Sequence, residues 1–199
     1  MLSRNSVATR VQDRSQRRCV ISGRRSQHFD TLQRMAIRSF SYQIERFMPE
    51  SVSSSILAVS ADQLRAFLGK TANLPQISDP SLQLEILSAP EIVTLGQRIE
   101  FRITVFGFKQ RAIHEYVTVE ELQISEDQVE GPLRAWKHSQ HIEVISSLEC
   151  RLTDRIEFVP PGGMLGFLLT EAKVRESIEE GMQIRYDSLS ELISSGTLA

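Results

Sequence analysis

Cysteine is scarce: Cys19 and Cys150 alone, in 199 residues, make no disulfide framework and point to a reducing, cytosolic setting. Long apolar runs are missing too. Pieces such as Met164–Leu169 fall far short of the roughly 18 residues a membrane span needs, so no stable membrane insertion is expected. His28, His114, His138 and His141 are the only histidines, and no spacing places two of them on one helix or strand face beside a carboxylate. His138 and His141, three apart in a strand, point opposite ways, so no metal site is expected. No G-x-S-x-G elbow holds a serine, and Cys150 reads as a core residue, which disfavours a hydrolase. Gly162, Gly163 and Gly166 lack the G-x-G-x-x-G order and a following lysine. With Pro160 and Pro161 before them they read as a tight turn rather than a phosphate loop.

Lysine is absent from the first 34 residues, which carry eight arginines against Asp13 and Asp30. With a net charge of −2 for the whole chain, the remainder is acidic, which argues against a nucleic-acid partner. The segment has no apolar core of a secretory signal. Three readings stand: an organelle transit peptide, which would imply import; a disordered basic tail for acidic partners; or upstream sequence before a true start at Met35. The last is favoured, because a strand pattern starts just after Met35. Residues 1–37 are thus expected to be a basic, disordered extension and 38–196 a single domain. At 41% hydrophobic and 24% charged, the chain has the make-up of one ordinary soluble domain with a full core.

Alternation marks the strands. Phe40, Tyr42 and Ile44 alternate with polar residues over Ser39–Phe47, a first strand ended by Pro49. Ser53–Val59 stays open between helix and loop. Ser60 caps a helix over Ala61–Leu68 that Gly69 closes, and Thr71–Ile77 forms a second short turn before Asp79 and Pro80. Strands follow at Leu82–Leu87, Ile99–Phe106, Gln110–Val119, Leu122–Glu126, Arg134–Ile145 and Leu148–Val159, with no helices between them, so they pair antiparallel. The acids Glu120 with Glu121, and Glu126 with Asp127, read as solvated loops at strand ends. Leu165–Ile193 is amphipathic throughout and reads as one long helix, flawed only by Gly181.

The two strands before the final helix carry the informative chemistry. Arg134, Trp136, His138, Gln140, Ile142 and Val144 share one face, as do Cys150, Leu152, Asp154, Ile156 and Phe158. A Trp, a His and an Asp on buried faces must pair or line a wet cavity. A sheet wider than the helix it wraps leaves such a gap, and gaps of this kind take apolar ligands.

The order of elements, with Leu74-Pro75, Asp79-Pro80, Gly96-x-x-Ile99-x-Phe101, Gln128-x-x-Gly131-Pro132-x-x-x-Trp136-x-His138, Thr153-Asp154-Arg155-Ile156-Glu157-Phe158 and Gly163-x-Leu165-Gly166, resembles the START/Bet v 1-like (SRPBCC) superfamily. The likeness is to its bacterial polyketide cyclase/dehydrase, lipid-transport and coenzyme Q-binding members and covers about Ser39–Ser194. It implies an α+β helix-grip fold: a curved antiparallel sheet of six to seven strands around a long C-terminal helix, with two short helices after the first strand. It also implies a cavity for a lipid, isoprenoid quinone or polyketide-like molecule, but no reaction. Two positions depart from the family: Gln140 stands where relatives often have a second His, and Gln110, Arg111 and Ala112 where they often have an aromatic residue.

Phe101, Ile103, Trp136, His138, Ile142, Leu152, Asp154, Ile156 and Met182 are the expected cavity wall. His138 and Asp154 could equally satisfy each other structurally, bind ligand, or serve as an acid–base pair in a cyclase, dehydratase or isomerase. The reading adopted is a non-catalytic, cytoplasmic binding protein, monomeric or weakly dimeric, without a cofactor. Delivery of its ligand to a membrane-bound complex is a further possibility.

Overall fold

The computed structural model describes residues 48–105 and 107–198. The expected strand at Ser39–Phe47 lies outside them. Strand β1 runs instead over Glu50–Leu57, beginning just after the proline expected to end a strand, in a stretch that sequence left between helix and loop. Its pattern is inverted: Ser51 and Leu57 are buried, while Val52 and Ile56 are more than half exposed. The serines suit the position. The last helix packs directly on this strand, and small side chains let the two backbones approach.

Helix α1 (Ala61–Leu68) follows, held by the expected Ser60 cap in a reciprocal box with Gln63. Two 3₁₀ turns, Thr71–Ile77 and Pro80–Leu82, lead into β2 (Glu85–Ser88). Then come β3 (Arg98–Val105), β4 (Phe108–Val119), β5 (Gln123–Glu130), β6 (Ala135–Ser146) and β7 (Glu149–Val159). The seven strands form one antiparallel sheet in the order β1-β7-β6-β5-β4-β3-β2. Its outer face carries cross-strand ion pairs such as Arg98 with Glu115, Arg102 with Glu85 and Arg151 with Glu143. Exposed pairs of this kind add at most about 1 kcal/mol each.

The single long helix read over Leu165–Ile193 is two helices. A short α2 (Gly163–Leu168) is followed, after a break at Leu169 and Thr170, by α3 (Glu171–Ser194). Thr170 has extended backbone and its hydroxyl accepts from the Lys173 amide, a local cap that ends any continuous helical path through it. The turn into α2 uses Gly163 at φ +65°, a conformation that favours glycine.

Three apolar clusters fill the space between sheet and helices. One gathers Leu57, Leu64, Ile142, Cys150, Leu152, Tyr186 and Leu189 under the C-terminal half of α3. A second, around Ile99, Phe101, Ala112, Tyr116 and Ile124, lies on β3–β5. The third joins Ile156 and Phe158 of β7 to Val174 and Ile178 on the N-terminal half of α3. No described helix is long and apolar enough to cross a membrane.

Candidate functional site

Where the second and third clusters face each other the packing stays open, leaving a cavity of about 250 Å³. The sheet supplies Phe101, Ile103, Ala112, Trp136, His138 and Ile156; α3 supplies Val174, Ile178, Met182 and Arg185; Leu74, Ile77 and Leu82 of the 3₁₀ turns close another side. Ala112 stands where an aromatic residue was noted as missing, and its small side chain leaves room above β4.

Of the residues expected in the wall, Phe101, Ile103, Trp136, His138, Ile156 and Met182 line this cavity. Ile142, Leu152 and Asp154 do not. Ile142 and Leu152 are covered by the C-terminal half of α3, through Tyr186 and Leu189, and belong to the solid cluster. Asp154 shares their inward face, but it is 1% exposed and engaged by its neighbours. Correct parity put all three inside; the lie of the helix decided which inside positions open on space.

A chain of buried charges divides the open from the solid region. The His138 Nε2–H donates to Asp154 Oδ1 at 2.7 Å, and His138 Nδ1 faces Glu126 Oε1 at 3.8 Å, an ion-pair distance. His114 Nδ1 lies 3.2 Å from that same Glu126 oxygen. Beyond Asp154, the Tyr186 hydroxyl lies 2.9 Å from Oδ2 and 2.8 Å from the Ser53 carbonyl, so one proton is shared between two acceptors. Arg185 is 4% exposed; its Nε is 3.5 Å from Asp154 Oδ1, and Nη2 donates to Gln140 Oε1 at 2.8 Å. Gln140, the position where relatives often have a second His, therefore holds the guanidinium. A smaller pocket of about 40 Å³, reaching Tyr116 and Ile124, shares Glu126, His138 and Arg185 with the main cavity. At ~10–15 Å³ per molecule it has room for about three waters.

The electrostatics follow from these contacts. Burial pulls the His138 imidazole down, but Asp154 and Glu126 outweigh it and raise its pKa to about 9, so it is an imidazolium at neutral pH. Burial pushes both carboxyls up. For Asp154 the Arg185 charge and the His138 hydrogen bond overcome that, and for Glu126 the two histidines do, so both sit below the usual carboxylate range. Burial, reinforced by Asp154, pushes the Tyr186 phenol up. Asp154 and Glu126 thus face the His138 imidazolium and the Arg185 guanidinium across this boundary.

Sequence reasoning missed half of this network. Glu126, read as a solvated loop acid, lies within β5 two residues after inward-facing Ile124 and points the same way; its side chain is 16% exposed. His114 lies between Ala112 and Tyr116 on the buried face of β4. Strand alternation contained both signals. Arg185 and Tyr186 stand three and four residues beyond Met182, on the helix's apolar side, where charge looked unwelcome. Although His114 and His138 flank Glu126, no group of three His, Cys, Asp or Glu among the described residues is arranged to hold a metal.

No protein-family model matches the chain, and no curated protein matches it. Solved structures do resemble it. A START superfamily protein from Mycobacterium smegmatis, 13% identical, superimposes with a TM-score of 0.58 over 73% of this chain and 97% of that one. Ginseng major latex-like protein 151 from Panax ginseng is 12% identical, with a TM-score of 0.55 over 72% of this chain and 96% of its own. The Zhui aromatase/cyclase from Streptomyces sp. R1128 is 17% identical, with a TM-score of 0.53 over 73% and 90%. The chain has the START/Bet v 1-like helix-grip fold.

Proposed function

We propose that this domain, bounded at about residues 38–196, binds a hydrophobic small molecule inside the fold and carries it. A lipid, an isoprenoid quinone or a polyketide-like compound fits this role. The observation that carries the reading is the cavity of about 250 Å³, walled by apolar side chains and bordered by a few fixed polar groups. An apolar interior gap of that size forfeits packing that a fully folded core would gain, and an apolar ligand restores it. Phe101, Ile103, Trp136, Ile156 and Met182 make the wall, and His138 with Arg185 sets its polar edge. Native mass spectrometry of protein purified from its own host, followed by extraction and identification of what is bound, tests the proposal. A stoichiometric apolar adduct is expected. A clean apo mass, with no thermal shift from lipids, quinones or aromatic polyketides, would overturn it.

A cyclase, dehydratase or isomerase is the second reading, favoured by one observation: an ionised His138 between two carboxylates opens onto the same cavity. With both ring nitrogens facing carboxylates, His138 offers no free base. It could only hold or lend a proton, with Asp154 fixing the ring. Conversion of a flexible polyketone substrate, lost in His138→Gln with binding retained, would establish this reading; binding without turnover would exclude it.

A further inference from the structure

Resting on the carrier reading, we infer that the ligand is a compact molecule of about ten non-hydrogen atoms, the extent of two fused rings, and not a long-chain acyl lipid or a polyprenyl compound. Volume carries this. An apolar cavity of about 150 Å³ takes one benzene, roughly 25 Å³ for each carbon. On that scale the cavity of about 250 Å³ encloses about ten carbons. An acyl chain of about 16 carbons would leave about six of them in water, and a carrier that leaves a chain wet does not shield it.

The walls offer no further room cheaply. Toward the C-terminal half of α3 the cavity ends at buried charges: Arg185 is held by Gln140 and Asp154, and Asp154 by His138 and Tyr186. Behind them lies the solid cluster of Leu57, Leu152 and Leu189. Opening a path there would separate buried ion partners, which is strongly unfavourable. On another side the 3₁₀ turns are tied down. The Ser78 hydroxyl donates to the Leu74 carbonyl and the Asn73 amide to the Phe67 carbonyl, while the Asp79 carboxylate receives the Ser81 amide and hydroxyl. The adjoining pocket of about 40 Å³ has room for about one or two carbons. Lys70, Asn73, Gln140 and Arg185 on its wall make it a poor place for them.

A series of unbranched primary alcohols, from hexanol to tetradecanol, tests the size with neutral, transparent probes that differ only in methylenes. Binding to the full chain is read from the fluorescence of Trp136, the chain's one tryptophan, which lines the cavity. Each methylene that enters the cavity should tighten binding by about 4-fold. The gain should stop between nonanol and undecanol, with no further tightening up to tetradecanol. Met182→Ala takes a thioether arm off the cavity wall, and there the break should come about two to three carbons later. Tightening by about 4-fold per methylene all the way to tetradecanol, or a break below octanol, would overturn the inference while leaving the carrier reading intact. A break that stays at the same length in folded Met182→Ala would overturn it too, because the cavity would not be what sets the limit. Failure of every alcohol to bind would remove both readings. Should Met182→Ala fold poorly, the series on the unmodified protein decides by itself.

Discussion

The two halves of α3 lie on the same sheet and differ in what they leave behind. The C-terminal half presses Tyr186 and Leu189 onto Leu57, Cys150 and Leu152, side chains with almost no exposure. The N-terminal half, through Ile178 and Met182, shares its space with a cavity. The apolar stripe is similar in both, so amphipathicity does not tell a packed wall from a cavity wall. The difference comes from the partners. Small serines on β1 and aliphatics on β7 admit the helix closely at one end, while buried charges stand at the boundary and hold structure around the gap.

Breaking the boundary should have the largest effect. Asp154→Ala leaves Arg185 and His138 buried without their shared carboxylate and is expected to cost about 3–5 kcal/mol in denaturant unfolding. A loss below 1 kcal/mol would show that the network is dispensable. Next, Leu189→Ala in the solid half should cost about 2–5 kcal/mol. Met182→Ala, at the cavity wall, should cost about 1 kcal/mol, because the side chain already borders space. Equal costs at the two positions would erase the contrast between the halves.

A pH series sharpens the same boundary. His138 holds its proton more tightly folded than unfolded, with its pKa raised to about 9. Its contribution is therefore full below its ordinary value near 6.5 and is lost as pH rises through about 9. Across that window the folded state binds more protons, so stability should fall by on the order of 3 kcal/mol. In His138→Gln this alkaline limb should flatten; an unchanged limb would assign it to another group. Asp154 and Glu126 act in the opposite sense, their contribution present above the ordinary carboxylate range and lost as pH falls below it.

The smallest effect is expected on the solvent side. Arg98→Ala removes an exposed ion pair with Glu115 and should change stability by at most about 1 kcal/mol without altering ligand binding.

Much of this fold was legible where local pattern and tertiary demand agree. Alternation along Cys150 to Phe158 placed every inward residue of β7 correctly, and the Ser60 cap and Gly69 stop bounded α1. Strand β1 was illegible because serines face inward and Val52 and Ile56 outward, the reverse of the rule that apolar residues mark the core. Thr170 was overlooked because the amphipathic pattern runs on through it, though its capping chemistry stops the helix. For the site, parity found the His138–Asp154 pair. Glu126 was discounted as an acid among polar neighbours, and Ile142 and Leu152 were placed in the cavity because no sequence pattern reports how closely a helix lies on a sheet.

Gly181 gives these two halves a longer history. It lines the cavity from the middle of α3, and a methyl group added there would meet nothing within 4 Å. Alanine at such a site favours the helix by roughly 1 kcal/mol. Robustness and capacity therefore pull this position in opposite directions: each carbon that would harden the protein against heat would also shrink what it can hold. An engineer screening only for thermal tolerance would select that change and would collect, as the stabler variant, a protein with less room inside.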